Sequence, residues 1–343
     1  MPENYIQPVT DRQQCFTCHK TVTGKKKLSK CSKCHAITYC GRACQLDDFA
    51  RHKWNCIPVM VTKYEGKGRG VMAARDIKMG EVVFVDKPVL KVPRRPNDIW
   101  NMLQSLKSQI NNMPSEAKIH YDKIPSKEKD ICTRALEIIG DHSKSIGEWS
   151  ILFLNAALIN HSCSPNVTGD SFQKNGDAWY EVRAIKDISK GDEISKFYAR
   201  CGCKEMDEVF SYKAFGCNTQ KRRAVIKKHF RFDCKCGVCT GTVPDQEDII
   251  KELLQLHEQF DLRILRERED HFLAGQVKTA DKIADLSHKL YIGPIDDKIF
   301  SLKLLGKTAL KAEDPGTLKK ALDGLKKIAA DTGIRCLEKF WED

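Results

Sequence analysis

No stretch of the sequence approaches the ~18 consecutive apolar residues of a membrane-spanning helix, so a helical span is not expected. The first residues, MPENYIQPVTDRQQ, lack the apolar core of a secretion signal, which points to an intracellular protein. The chain also lacks the low hydrophobicity of a disordered polypeptide. Of its 343 residues 41% are hydrophobic and 30% charged, enough for a sizeable core and two or three domains. Acidic residues are in deficit, with 46 Asp and Glu against 58 Lys and Arg and a formal charge of +12. Such a balance fits an acidic partner such as nucleic acid, and equally a well-solvated surface.

Cysteine is abundant. In a reducing compartment sixteen cysteines are expected to hold metal rather than form disulfides. Seven fall within residues 15–56, CFTCHKTVTGKKKLSKCSKCHAITYCGRACQLDDFARHKWNC. With His52 they make eight potential ligands: Cys15, Cys18, Cys31, Cys34, Cys40, Cys44, His52 and Cys56. Eight ligands satisfy two tetrahedral zinc ions in a segment too small to fold on its own core. Cys40/Cys44 and His52/Cys56 have the i,i+4 spacing of one face of a helical turn. His19 and His35, each following a knuckle cysteine, are expected to be exposed, and Lys25–Lys27 to be a solvated loop tip. A later group, Cys234, Cys236 and Cys239, supplies three of the four ligands that a closed site needs.

Three further segments follow in order. YEGKGRGVMAARDIKMGEVVFVDKPVL (64–90) has glycines at 66, 68 and 70 that permit close backbone approach to a ligand. INHSCSPN (159–166) ends an apolar run, and YEVRAIKDISKGDEIS (180–195) reads as strand, turn and strand. Residues 15–56 resemble the MYND zinc finger, and the three later segments resemble the SET domain of protein lysine methyltransferases. Together with the CKCGVC tail, over roughly residues 15–240, the chain resembles the SMYD family of SET- and MYND-domain proteins.

That resemblance implies two interleaved zinc sites, Cys15/Cys18/Cys40/Cys44 and Cys31/Cys34/His52/Cys56. A third is implied where Cys163 joins Cys234, Cys236 and Cys239. It implies S-adenosylmethionine as methyl donor, held by Asn160 and His161 with Lys67 and Arg69, and by the aromatic residues Phe230 and Phe232. The family's catalytic tyrosine has two candidates here. Counting forward from Gly191-Asp192-Glu193-Ile194 reaches Tyr198, whereas counting back from the CKC segment reaches Tyr212. The second register matches more positions and favours Tyr212; the two differ by an insertion of fourteen residues. Cys201, Cys203 and Cys217 accompany that insertion, either as free thiols or as an extra metal site. Ala157 stands where relatives often have Ser, Arg69 where many have Asn, and Phe230 where Tyr is common.

The expected fold is α+β and multidomain. A MYND zinc finger (15–56) precedes a β-rich SET core (62–212) with a helical insert (about 97–148), a zinc-bound post-SET segment (213–240) and C-terminal helices (246–343). Breaks in those helices are expected at Gly275, Gly293-Pro294, Pro315-Gly316 and Gly333. The implied activity is S-adenosylmethionine-dependent methylation of histone or non-histone lysines, with three zinc ions as scaffold, by a monomer in nucleus and cytoplasm. A rival of another class is an inactive adaptor whose finger docks proline-containing peptides in transcriptional regulation. A weaker alternative is DNA contact by the basic finger, which would fall steeply with added salt.

Overall fold

The computed structural model describes residues 14–21, 28–53, 56–174, 177–198, 219–243, 246–260, 273–290 and 295–334. They form two compact units, Met1–Asn160 with Gly169–Ile194, and His161–Thr168 with Ser195–Asp343.

The first unit opens with the finger, made of β1 (Ser29–Lys30), β2 (Thr38–Tyr39) and α1 (Arg42–His52). Both cysteine knuckles turn the same way. The residue after each knuckle, His19 or His35, has a left-handed backbone (φ 57° and 58°) and donates its N–H to the carbonyl of Cys15 or Cys31 at 3.0 Å. Tyr39, 1% exposed, braces the small core by donating to Asp48 at 2.7 Å.

Next come the hairpin β3 (Val59–Tyr64) and β4 (Gly68–Ala73), then β5 (Val82–Asp86) and β6 (Leu90–Pro93). The turn between β3 and β4 needs left-handed residues, which Gly66 and Gly68 supply at φ 70° and 75°. A helical insert follows: α2 (Ile99–Asn111), α3 (Ser115–Asp122) and α4 (Ile131–His142). Asp98 and Asp130 cap α2 and α4 by accepting backbone N–H groups at 3.0 Å. The buried faces of α2 and α4, including Leu106, Ile110, Ile138 and Ile139, pack on Leu90, Val92 and Leu152. Each such side chain contributes roughly 1.5–3 kcal/mol by leaving water.

Strands β7 (Lys144–Ile146) and β8 (Trp149–Leu152) lead through α5 (Leu154–Ala157) to β9 (Asn160–His161). Then β10 (Val167–Lys174) and β11 (Asp177–Ala184) form a sheet of order β10-β11-β5, and β12 (Glu193–Lys196) pairs antiparallel with β4. The apolar run before INHSC is buried as its composition dictates, with Ile151 to Ala156 at most 2% exposed. A buried carboxylate holds its end. Asp86, 3% exposed, accepts from the Ala156 N–H at 3.0 Å and the Asn155 amide at 3.3 Å.

In the second unit, Ser162 and Asn166 donate backbone N–H groups to the carbonyls of Lys196 and Ser195 at 3.0 and 3.1 Å. Beyond them lie α6 (Thr219–Phe230) and α7 (Gly237–Thr240). The C-terminal helices α8 (Glu247–Gln259), α9 (Leu273–Lys289), α10 (Ile295–Lys311) and α11 (Pro315–Thr332) share one apolar core around Leu253, Ile283, Leu305 and Leu325. The expected breaks hold at Pro315, which starts α11, and at Gly333, whose left-handed backbone ends it. Gly275 is a correction. It lies inside α9, because one exposed glycine costs a helix only about 1 kcal/mol and core packing outweighs that.

Candidate functional site

Three ligand groups converge as the family resemblance implies: Cys15/Cys18/Cys40/Cys44, Cys31/Cys34/His52/Cys56 and Cys163/Cys234/Cys236/Cys239. In each, the ligand atoms lie within 4.8 Å of one another. Sulfur pairs are separated by 3.6 Å (Cys18–Cys40), 3.5 Å (Cys40–Cys44), 3.8 Å (Cys31–Cys56) and 3.6 Å (Cys163–Cys239). A tetrahedron with Zn–S bonds near 2.3 Å has edges of about 3.8 Å, so these groups fit zinc without rearrangement. One expectation about local geometry changes. Cys56 lies past the end of α1, so His52 and Cys56 do not share a helical turn; the chain leaves the helix to bring Cys56 to Cys31.

Electrostatics point the same way. Burial opposes ionisation of Cys15, yet N–H groups from Cys18, Cys40 and Thr17 hold its thiol down to about 6. Its neighbour Cys44 is pushed up to about 12, chiefly by its hydrogen bond with Cys40. In the third group, hydrogen bonding from Cys163 lowers Cys234 and brings Cys236 to about 5. Cys163 is raised in return. Thiols so close cannot all ionise unless a cation sits among them.

A second constellation lies wholly in the first unit. Lys67, in the β3–β4 turn, and Asn160, in β9, both reach the Glu193 carboxylate: Nζ to Oε2 at 2.6 Å and Nδ2 to Oε1 at 2.9 Å. The glycine between them is there for space. A Cβ on Gly70 would lie 2.5 Å from Asn160 Nδ2 and 2.8 Å from the Tyr64 ring. Burial, then the charges of Glu193 and Asp192, push the Tyr64 hydroxyl up to about 12, so it stays protonated. Arg69 does not join this group. Its guanidinium donates to the Lys123 carbonyl at the end of α3, which ties the hairpin to the insert. Glu193 is the residue that sequence reasoning missed. A carboxylate on a short strand reads as a solvent-facing position, and its partners lie 126 and 33 residues away.

A third constellation lies in the second unit and is aromatic. Tyr198 sits 5.4 Å from the His161 ring, 5.1 Å from Phe230 and 6.3 Å from Phe232 between ring centroids. Arg231, with φ 61°, turns the chain between the two phenylalanines so that both face Tyr198. The His161 side chain is buried, its Nδ1 accepting from the Tyr198 N–H and its Nε2 beside Cys163. Tyr212, Cys201, Cys203 and Cys217 lie outside the described residues.

Residues 15–56 match the MYND finger family and residues 68–199 the SET domain family. Human N-lysine methyltransferase SMYD2 is 23% identical over 265 residues, which cover 71% of this chain and 55% of that protein. These matches support the SMYD family. SMYD2-B of Danio rerio, also named an N-lysine methyltransferase, is 25% identical over 257 residues, 69% of this chain and 53% of that protein. The mouse histone-lysine N-methyltransferase Smyd1 is 23% identical over 346 residues, 88% of this chain and 64% of that protein. The chain therefore spans between half and two-thirds of the length of these SMYD relatives. Within it, the SET match takes in Tyr198 and ends before Tyr212.

Proposed function

We propose that this SMYD-family chain is an S-adenosylmethionine-dependent protein-lysine N-methyltransferase, acting on histone or non-histone lysines in nucleus and cytoplasm. One observation carries it. Lys67 and Asn160, brought together from positions far apart in sequence, both bind a single carboxylate, that of Glu193. A cation and an amide donor that suit Glu193 also suit the carboxylate of the cofactor's methionine part. Gly70 keeps the space that this approach needs. Phe230 and Phe232 offer ring faces for the adenine or the substrate stem.

When bound, S-adenosylmethionine supplies a methyl group activated on a sulfonium. The lysine nucleophile must arrive neutral, although its ordinary pKa is near 10.4, and be aligned with the methyl–sulfur axis. The chain's part is to exclude water and hold that line. We assign Tyr198 as the tyrosine whose hydroxyl orients the transfer through weak C–H···O contacts. Its support is the surrounding aromatic group and the extent of the SET match, against the sequence register that favours Tyr212. The three zinc ions take no part in the transfer itself. On the finger, exposed Leu46 (61%) and Phe49 (57%) on α1 give a proline-containing peptide an apolar landing.

Calorimetric titration of the cofactor into zinc-loaded protein tests the reading, followed by methylation assays on histones and cell lysate. Micromolar binding, about −8 kcal/mol, lost in Asn160→Ala, is expected. Tyr198→Phe should lower turnover at least tenfold while Tyr212→Phe keeps it. Folded protein that binds no cofactor would leave the adaptor as the surviving alternative.

A further inference from the structure

His161 is 4% exposed, and both of its ring nitrogens are engaged. The Tyr198 backbone N–H donates to Nδ1 at 3.0 Å. A main-chain amide has only a proton to give, so Nδ1 carries the lone pair. The ring proton is then on Nε2, and Nε2 lies 3.4 Å from Cys163 Sγ, within reach of an N–H···S bond. Phe197 and Phe232, with centroids at 5.3 and 6.3 Å, wedge the imidazole and oppose its turning over. The sulfur it faces belongs to the group of four cysteines that fits zinc.

We propose that His161 is a positioning residue that couples the Cys163/Cys234/Cys236/Cys239 metal site to Tyr198, its Nε2–H donating to the Cys163 thiolate and its Nδ1 holding the Tyr198 N–H. A metal bound by these cysteines fixes Cys163, Cys163 fixes the ring, and the ring fixes the backbone that carries the tyrosine. Partners behind a metal ligand commonly set its orientation, and their loss costs about 10–100-fold in affinity or activity. The third metal therefore does more than close the fold. Only the consequence for turnover rests on the methyltransferase function proposed above; the hydrogen bonds themselves do not.

The test uses the full chain, labelled with ¹⁵N-histidine and loaded with ¹¹³Cd in place of zinc. Among the ten histidines, one is expected to carry its proton on Nε2 and to show a weak coupling from that proton through a thiolate to a single cadmium. His52, placed among the finger ligands, should instead couple to cadmium directly through nitrogen. If no histidine shows the coupling through sulfur, if that histidine is protonated on Nδ1, or if a second one couples directly to metal, the proposal is overturned. In the methylation assay, His161→Phe should lower kcat about 10–100-fold with three metals retained. Unchanged kcat in the folded variant would also overturn it. Where His161→Phe does not fold, the measurement on the unmodified chain still decides. Absence of methylation in the wild type would sink the proposed function yet leave the coupling result standing, so the two failures are distinguishable.

Discussion

A glycine and a histidine set the limits of the site at the scale of single residues. Gly70 lies on a strand, where substitution by Ala ordinarily gains about 0.4–1 kcal/mol from a less flexible unfolded chain. Here the added methyl would meet Asn160 Nδ2 at 2.5 Å and the Tyr64 ring at 2.8 Å. Overpacking of that kind costs about 1–3 kcal/mol, so the clash wins. Gly70→Ala is expected to lower Tm by several degrees and to weaken cofactor binding, both read on one sample by thermal melting and calorimetry. Binding as tight as in the wild type would place Asn160 outside the cofactor site. The histidines after the knuckle cysteines carry a smaller lesson. His19 and His35 are expected from the sequence to be exposed non-ligands, and the structure gives them a conformational part: each adopts the left-handed backbone that closes a knuckle, which His tolerates better than most residues.

At the scale of elements, the buried Asp86 decides where the NHSC segment starts. Asp86 ends β5 and satisfies the Ala156 N–H and the Asn155 amide at the start of the short α5. Asp86→Ala removes a buried acceptor of the Ala156 N–H and the Asn155 amide, and loss of such a partner costs about 1–3 kcal/mol. Urea unfolding should show a loss of roughly 2–4 kcal/mol, and Asp86→Asn, which keeps one acceptor oxygen, should lose less. Equal losses in the two variants would count against this anchoring. Nothing in the sequence marks Asp86, because the α5 partners it anchors lie 69 and 70 residues away. The helices were easier. Those of the insert and of the C-terminal third follow from apolar periodicity, while Gly275 misled because the propensity of one residue is weak against the packing of seventeen.

Two half-buried histidines give the whole molecule a defined response to acid. Burial depresses His257 to about 4, and burial together with the Lys123 and Arg69 charges does the same to His120. Both values lie below the unfolded value near 6.5. The unfolded chain therefore binds more protons between pH 6.5 and 4, and stability is full above that window and lost as pH falls through it. For His257 the loss approaches roughly 2–3 kcal/mol; His120, nearer solvent, contributes less. Urea midpoints measured from pH 7.5 to 4.5 should fall for the wild type and fall less for His257→Leu. Taking the difference between the two removes the acid release of zinc from thiolates, which both share. Parallel curves would mean that His257 does not titrate on unfolding.

The sequence alone determined the finger, the nature of its ligands, the SET segments and the run of C-terminal helices. The finger and the helices are properties of spacing and periodicity, since a knuckle needs two cysteines three positions apart and a helix needs an apolar face; the SET segments were legible by resemblance. Only tertiary structure decided what meets across long separations. It set Lys67 and Asn160 on the Glu193 carboxylate, took Arg69 away to the Lys123 carbonyl, and turned the His161 ring to Cys163 and Tyr198. Cys163 itself, 71 residues before Cys234, joins the third zinc-fitting group by resemblance in the sequence and by proximity in the fold. The physical reason is the same in each case. Hydrogen bonds and charge pairs have ranges of a few ångströms, and one-dimensional spacing carries no information about which distant groups the packed core brings that close.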